Sequence, residues 1–171
     1  MFVRPALSGD VAAITTLYNE LGVATTASYD LAPVTTANRL AWLDDHHAHG
    51  WPVLVAEDAD GAVSGFAAFS AFRPKAGYDR TVEHSVYVDA GRQGKGVGHA
   101  LMTALIGQAR RQQRHAMIGV VDATNAASIE FHRSLGFVIA GVLPEVGRKF
   151  GRWLDVTLLV LLLDDEGSHH D

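Results

Sequence analysis

At 171 residues, 48% of them hydrophobic, the chain is sized for one domain with a substantial core and leaves little room for a second. A net charge of −5 removes the usual ground for a nucleic-acid partner, because such proteins gather Lys and Arg on one face. The absence of cysteine excludes disulfides, thiolate metal sites and a cysteine nucleophile, and it fits a reducing cytosol.

The start, Met1-Phe2-Val3-Arg4-Pro5, lacks a basic segment, apolar stretch and cleavage site, so no signal peptide is expected. The greasiest run, Val156 to Leu163, is far below the ~20 residues of a spanning helix. Together these predict a cytoplasmic protein with no membrane partner. Phe2 to Pro5 reads as a strand. Ser8 can cap a helix carrying Ile14, Leu17, Tyr18 and Leu21 at helical spacing. Residues 22–33 read as a surface loop, followed by a helix from Thr36 to His47 with Leu40 and Leu43 buried.

Val53 to Glu57 and Val63 to Phe72 are apolar runs separated by Asp58-Ala59-Asp60-Gly61, a turn signal that predicts a hairpin. A strand follows at Thr81 to Val88, then a helix from Gly98 to Gln113 and a strand from Met117 to Val121. A short helix at Ser128 to Leu135 leads to strands at Phe137 to Val142 and Trp153 to Leu163. The order predicts an α/β sheet, antiparallel in its first half and parallel later. Residues 1–163 form the predicted domain and 164–171 a polar tail.

Val86-Tyr87-Val88-Asp89-Ala90-Gly91-Arg92-Gln93-Gly94-Lys95-Gly96-Val97-Gly98 reads as strand, glycine loop and helix start. Such a loop turns its N–H groups toward one point and adds the positive end of a helix, which suits a pyrophosphate. Arg92 and Lys95 add charge to the same mouth. A Rossmann fingerprint needs glycine where His99 stands, and a P-loop needs lysine where Val97 stands. Taken alone, Gly94, Gly96 and Gly98 can equally be a plain strand-to-helix turn.

Gln93-Gly94-Lys95-Gly96-Val97-Gly98 resembles the Gln/Arg-x-x-Gly-x-Gly/Ala acetyl-CoA loop of the GNAT superfamily of N-acetyltransferases. Asn125-Ala126-Ala127-Ser128 and Phe131-His132-Arg133-Ser134-Leu135-Gly136-Phe137 resemble its Asn-x-x-Ser and aromatic-x-x-x-Gly-Phe elements, in the same order. Tyr78-Asp79, Thr81-Val82-Glu83-His84-Ser85-Val86-Tyr87-Val88 and Gly147-x-Lys149-x-Gly151-x-Trp153-x-Asp155-Val156 look like the phosphinothricin acetyltransferase branch. That branch includes enzymes acetylating methionine sulfone, methionine sulfoximine and arsinothricin.

The resemblance implies a GNAT fold with a mixed, mostly antiparallel central sheet flanked by helices. It implies acetyl-CoA as co-substrate, no metal, the α-amine of a small glutamate- or methionine-sulfone-like amino acid as acceptor, a homodimer and a detoxifying role. The backbone from Arg92 and Gln93 through Gly94, Lys95, Gly96 and Val97 to Gly98 would hold the pyrophosphate. Val86 and Val88 would pair with the pantetheine, and Asn125 and Ser128 would touch coenzyme A. Glu83 matches the branch's general base, and a strand N–H near Val88 would face the thioester oxygen.

The departing thiolate calls for an acid, and His132 is the candidate, with a packed helix histidine as the alternative. Arg73, Lys75 and Tyr78 fall in the loop that lines the branch's amino-acid pocket, where two cations suit an anionic group. Tyr29, with Thr25 and Thr26, falls in the segment that closes over substrate. A peptide N-terminus or polyamine as acceptor, and a non-catalytic acetyl-CoA sensor, remain the competing readings. His46 and His49 share a helical face, but without further ligands they read as a polar helix end rather than a metal site.

Overall fold

The computed structural model describes residues 1–163, so the predicted polar tail lies outside the described residues. The strands are β1 (Phe2–Pro5), β2 (Val53–Glu57), β3 (Val63–Ala71), β4 (Thr81–Val88), β5 (Ala116–Asp122), β6 (Val138–Lys149) and β7 (Arg152–Leu162). The helices are α1 (Val11–Tyr18), α2 (Thr36–Ala48), α3 (Val97–Arg111) and α4 (Ala126–Ser134).

The Asp58–Gly61 signal does fold β2 back on β3, and one seven-stranded sheet runs in the order β1-β2-β3-β4-β5-β7-β6. Only β4 with β5 is a parallel pair; every other ladder is antiparallel. The expectation of a parallel second half is therefore corrected. β7 inserts between β5 and β6, so the last two strands form a hairpin rather than a further crossover.

Two cores flank the sheet. On one face Val97, Leu101, Met102 and Leu105 of α3 pack against Phe69, Val82, Met117 and Leu159, with Ile129 and Phe131 of α4 at the margin. On the other, Val11, Ile14 and Leu17 of α1 and Leu43 of α2 cover Val55, Phe66 and Tyr87. Burying each such aliphatic side chain contributes about 1.5–3 kcal/mol. Strand alternation assigns the residues of β4 in turn to these two faces.

Four local readings need correction. Ser8 does not cap α1: it lies in a 3₁₀ turn, Ser8–Asp10, where the Asp10 carboxylate accepts from the Leu7 N–H at 2.8 Å. Leu40 is 39% exposed, and α2 instead buries Arg39, Leu43 and His46. β6 runs to Lys149 rather than Val142, because two register shifts carry it past Pro144 and Glu145. The leucine-rich stretch Leu158 to Leu163 predicts a strand buried on both faces, but in β7 Leu159 and Leu161 are buried while Leu162 is half exposed.

Candidate active site

β4 and β5 pair over only three positions, Thr81 with Ala116, Val82 with Met117 and Glu83 with Ile118. Beyond Glu83 the two strands splay, and the β4 edge facing β5 has no ladder from His84 onward. A cleft of about 310 Å³ opens there, lined among others by Ser28, Tyr29, Glu83, His84, Val86, Asp122, Asn125, Ser128 and His132. Unladdered backbone N–H and C=O groups at its wall call for a partner.

Glu83 sits where the splay begins. Burial pushes its carboxyl above the ordinary carboxylate range, and the positive charge of Arg73 pulls the other way. His132, on α4, donates its Nδ1–H to the Ser128 carbonyl at 2.6 Å, since a carbonyl can only accept. Its Nε2 is therefore a bare acceptor, buried and unpartnered. Burial holds its pKa below the usual histidine value, so the ring is neutral at pH 7.

His132 owes its position to two local devices. Asn125 caps α4, its side chain accepting from the Ser128 N–H at 3.0 Å. At the other end Gly136 takes φ 93°, and the Phe137 N–H bonds back to the His132 carbonyl at 3.1 Å. That is a Schellman stop, which explains the Gly-Phe pair in the motif. Phe137 then packs edge-on against both His132 and His84.

The glycine loop is shaped by its own backbone and by Asp89. Asp89 accepts from the Gly91 N–H at 2.9 Å, while Gly94 and Gly96 adopt φ 72° and 83°. No side chain caps α3, so the first N–H groups of that helix face the loop unpaired by any cap. The charge expected from Arg92 is largely committed elsewhere: it pairs with Asp58 at 2.7 Å. Lys95 likewise donates to the Gly91 carbonyl at 2.8 Å. Backbone amides rather than cations dominate the mouth.

Of the other candidates, Tyr29 lines the cleft, its hydroxyl buried without a partner. Arg73 lies in the exposed β3–β4 connection and reaches Glu83 electrostatically. Lys75 and Tyr78 are exposed in the same connection and are absent from the cleft wall. Val86 and Val88 lie on the unladdered stretch of β4. His46 and His49 bond to helix carbonyls, and among the described residues no group of three metal-ligating side chains exists.

The sequence reading missed His84 and Asp122. His84 stacks on His132 at 5.0 Å between ring centres, neutral because burial holds its pKa at about 3. Asp122 is buried at the open end of the splay; one oxygen accepts from the Thr124 N–H at 2.8 Å and the other is unpartnered. Asp122 ends the apolar run of β5, where a polar residue breaks the pattern, whereas His84 lies mid-strand between Glu83 and Ser85.

A cleft between splayed central strands beside an uncapped helix start is the arrangement the motifs imply, and comparison with known proteins decides the family. The acetyltransferase (GNAT) family matches residues 14–137. The chain belongs to the GNAT acetyltransferase family. It is 48% identical over 166 residues, 97% of this chain and 96% of the relative, to the L-methionine sulfoximine/L-methionine sulfone acetyltransferase of Pseudomonas aeruginosa. The phosphinothricin N-acetyltransferase of Streptomyces coelicolor is 36% identical, with 90% of this chain and 91% of the relative covered. Among solved structures, Salmonella typhimurium yncA with its cofactor acetyl-CoA matches this GNAT chain with TM-score 0.93 and 45% identity. That match covers 99% of this chain and 98% of the other. Among the described residues no helix is long and apolar enough to cross a membrane.

Proposed function

We propose that this GNAT protein transfers the acetyl group of acetyl-CoA to the α-amine of a small amino acid of the methionine sulfone, methionine sulfoximine or phosphinothricin type, arsinothricin included. The observation that carries the reaction type is the pairing, in one cleft, of a half-buried carboxyl of raised pKa with a bare imidazole nitrogen. The acceptor class is supported by the activities of the relatives named above and by the charge of Arg73 beside Glu83.

An acceptor amine is an ammonium at neutral pH, so one proton must leave before nitrogen can attack. Glu83 takes it, and a carboxyl of raised pKa does so more effectively near neutral pH than an ordinary one. Acetyl-CoA supplies the activated acyl carbon. Once nitrogen has bonded to that carbon it carries a second surplus proton, and the lone pair of His132 Nε2 accepts it. As the carbon–sulfur bond breaks, His132 returns the proton to the thiolate sulfur. His132 thus acts as an acid only after acting as a base, which its Ser128-fixed tautomer allows. One proton remains on Glu83 for solvent; the products are the amide and free coenzyme A.

The pyrophosphate would lie on the amides from Gln93 to Gly98, with Arg92 acting mainly to brace the loop through Asp58. The exposed apolar side chains Val138, Ile139, Val142, Val146, Phe150 and Trp153 of the terminal hairpin support a homodimer built on that hairpin. Sedimentation equilibrium is expected to give twice the 18.3 kDa chain mass; a single-chain mass would remove the dimer.

Free thiol release from acetyl-CoA tests the reaction across methionine sulfone, methionine sulfoximine, phosphinothricin, arsinothricin, glutamate, spermidine and a short peptide. Release is expected with the first four. Release confined to spermidine or peptide would move the acceptor to another class, and no release with any acceptor would favour a sensor.

A further inference from the structure

The motif Gly147-x-Lys149, so far without a part in the reaction, sits on β6 and reaches across to the cleft. Lys149 is 3% exposed, yet it has no carboxylate partner among the described residues. Its Nζ instead donates to two backbone carbonyls, Gly22 at 3.3 Å and Ser28 at 2.5 Å. The Ser28 carbonyl has no other partner among the described residues. These two carbonyls bracket the segment that carries Ala27, Ser28 and Tyr29 into the cleft wall.

One more contact holds the same segment. The Tyr29 ring lies against Gly147, where any β-carbon would collide with it. Gly147 and Lys149 are buried and Arg148 between them is exposed, so both point inward on one face of β6. The hairpin fixes that register: Lys149 pairs with Arg152 across the turn Phe150-Gly151, whose φ values of 51° and 76° form a primed, two-residue turn.

A buried ammonium bonded to carbonyls needs a reason, because an apolar side chain of the same length would fill the space without the desolvation cost. We propose that Lys149 is a positioning residue, strapping residues 22–29 to β6 so that they form one wall of the acceptor side of the cleft. The proposal rests on the reading that this face takes the acceptor. Lys149 supplies two donors at once, one to Gly22 in the π-helical turn Asn19–Val23 and one to Ser28 in the irregular stretch that follows, which leaves Tyr29 fixed over the splay while coenzyme A binding on the opposite side is untouched.

Lys149→Met keeps length and bulk and removes the donors. Amide hydrogen exchange over residues 24–30 should accelerate about tenfold, the loss of a charge-assisted bond to a buried carbonyl. The KM for the amino-acid acceptor should rise about tenfold, with that for acetyl-CoA changed less than about twofold. Lys149→Arg should recover part of both. Unchanged exchange and unchanged acceptor KM would overturn the proposal, as would an equal rise in both KM values accompanied by faster exchange throughout the sheet. If Lys149→Met does not fold, Gly147→Ala tests the same wall by displacing Tyr29: a selective rise in acceptor KM is expected, and none would overturn it. If the wild-type protein acetylates no acceptor, the proposed function fails while the exchange measurement still decides the role of Lys149.

Discussion

Glu83→Gln should lower turnover by about 10²- to 10⁴-fold, the range general-base catalysis contributes, with acetyl-CoA affinity nearly intact. The variant keeps the shape of the side chain and loses only its ability to take a proton. In the wild type, activity should fall as pH drops through the raised Glu83 pKa, and that acid limb should vanish in the variant. Turnover within a few-fold of wild type would remove Glu83 as base.

The same residue makes a stability prediction of fixed sign. Burial raises the folded pKa of Glu83 above the unfolded value of about 4.3, so the folded state binds the proton more tightly. The contribution of Glu83 to stability is full below the unfolded pKa and is lost as pH rises through the folded one. Glu83→Gln should therefore melt higher than wild type at neutral pH, the two converging in acid. Equal melting temperatures across the range would contradict the burial argument.

Replacing Gly94 and Gly96 together by alanine should raise the KM for acetyl-CoA by about 30-fold or more. A left-handed conformation costs an L-residue roughly 1–2 kcal/mol at each position, and each 1.4 kcal/mol is about tenfold. The effect is conformational rather than steric, because a β-carbon at either position meets nothing within 4 Å. The loop would relax away from positive φ and its amides would no longer converge. Turnover at saturating acetyl-CoA should change far less, and an unaltered KM would show that the loop does not hold the anion.

Much of this architecture was legible because local chemistry and tertiary structure agree. Asp58-Ala59-Asp60-Gly61 encodes its hairpin without help, and the alternation from Thr81 to Val88 places β4 correctly. The sequence misled where a distant partner overrides the local pattern. Arg92 reads as a cation beside a phosphate loop, but Asp58 takes its charge. Asp10, not Ser8, satisfies the backbone before α1, held there by Arg4 at 2.7 Å. β6 extends past its predicted end at Val142 because pairing with β7 carries the strand through a register shift between Leu143 and Gly147, which no local pattern marks. His84 and Asp122 were overlooked because nothing local marks a polar residue in an apolar strand as buried. Their surroundings come from α4 and from the Thr26 segment.

The short pairing of β4 with β5 has a consequence for how such a protein can change. Glu83 and His84 line the same cleft, yet as neighbours on one strand they point to opposite faces of the sheet. A substitution at one of them therefore alters one face of the cleft and leaves the other as it is. Inserting or deleting a single residue in β4 would turn every side chain beyond it to the opposite face at a stroke. This strand can be edited letter by letter but cannot be shifted.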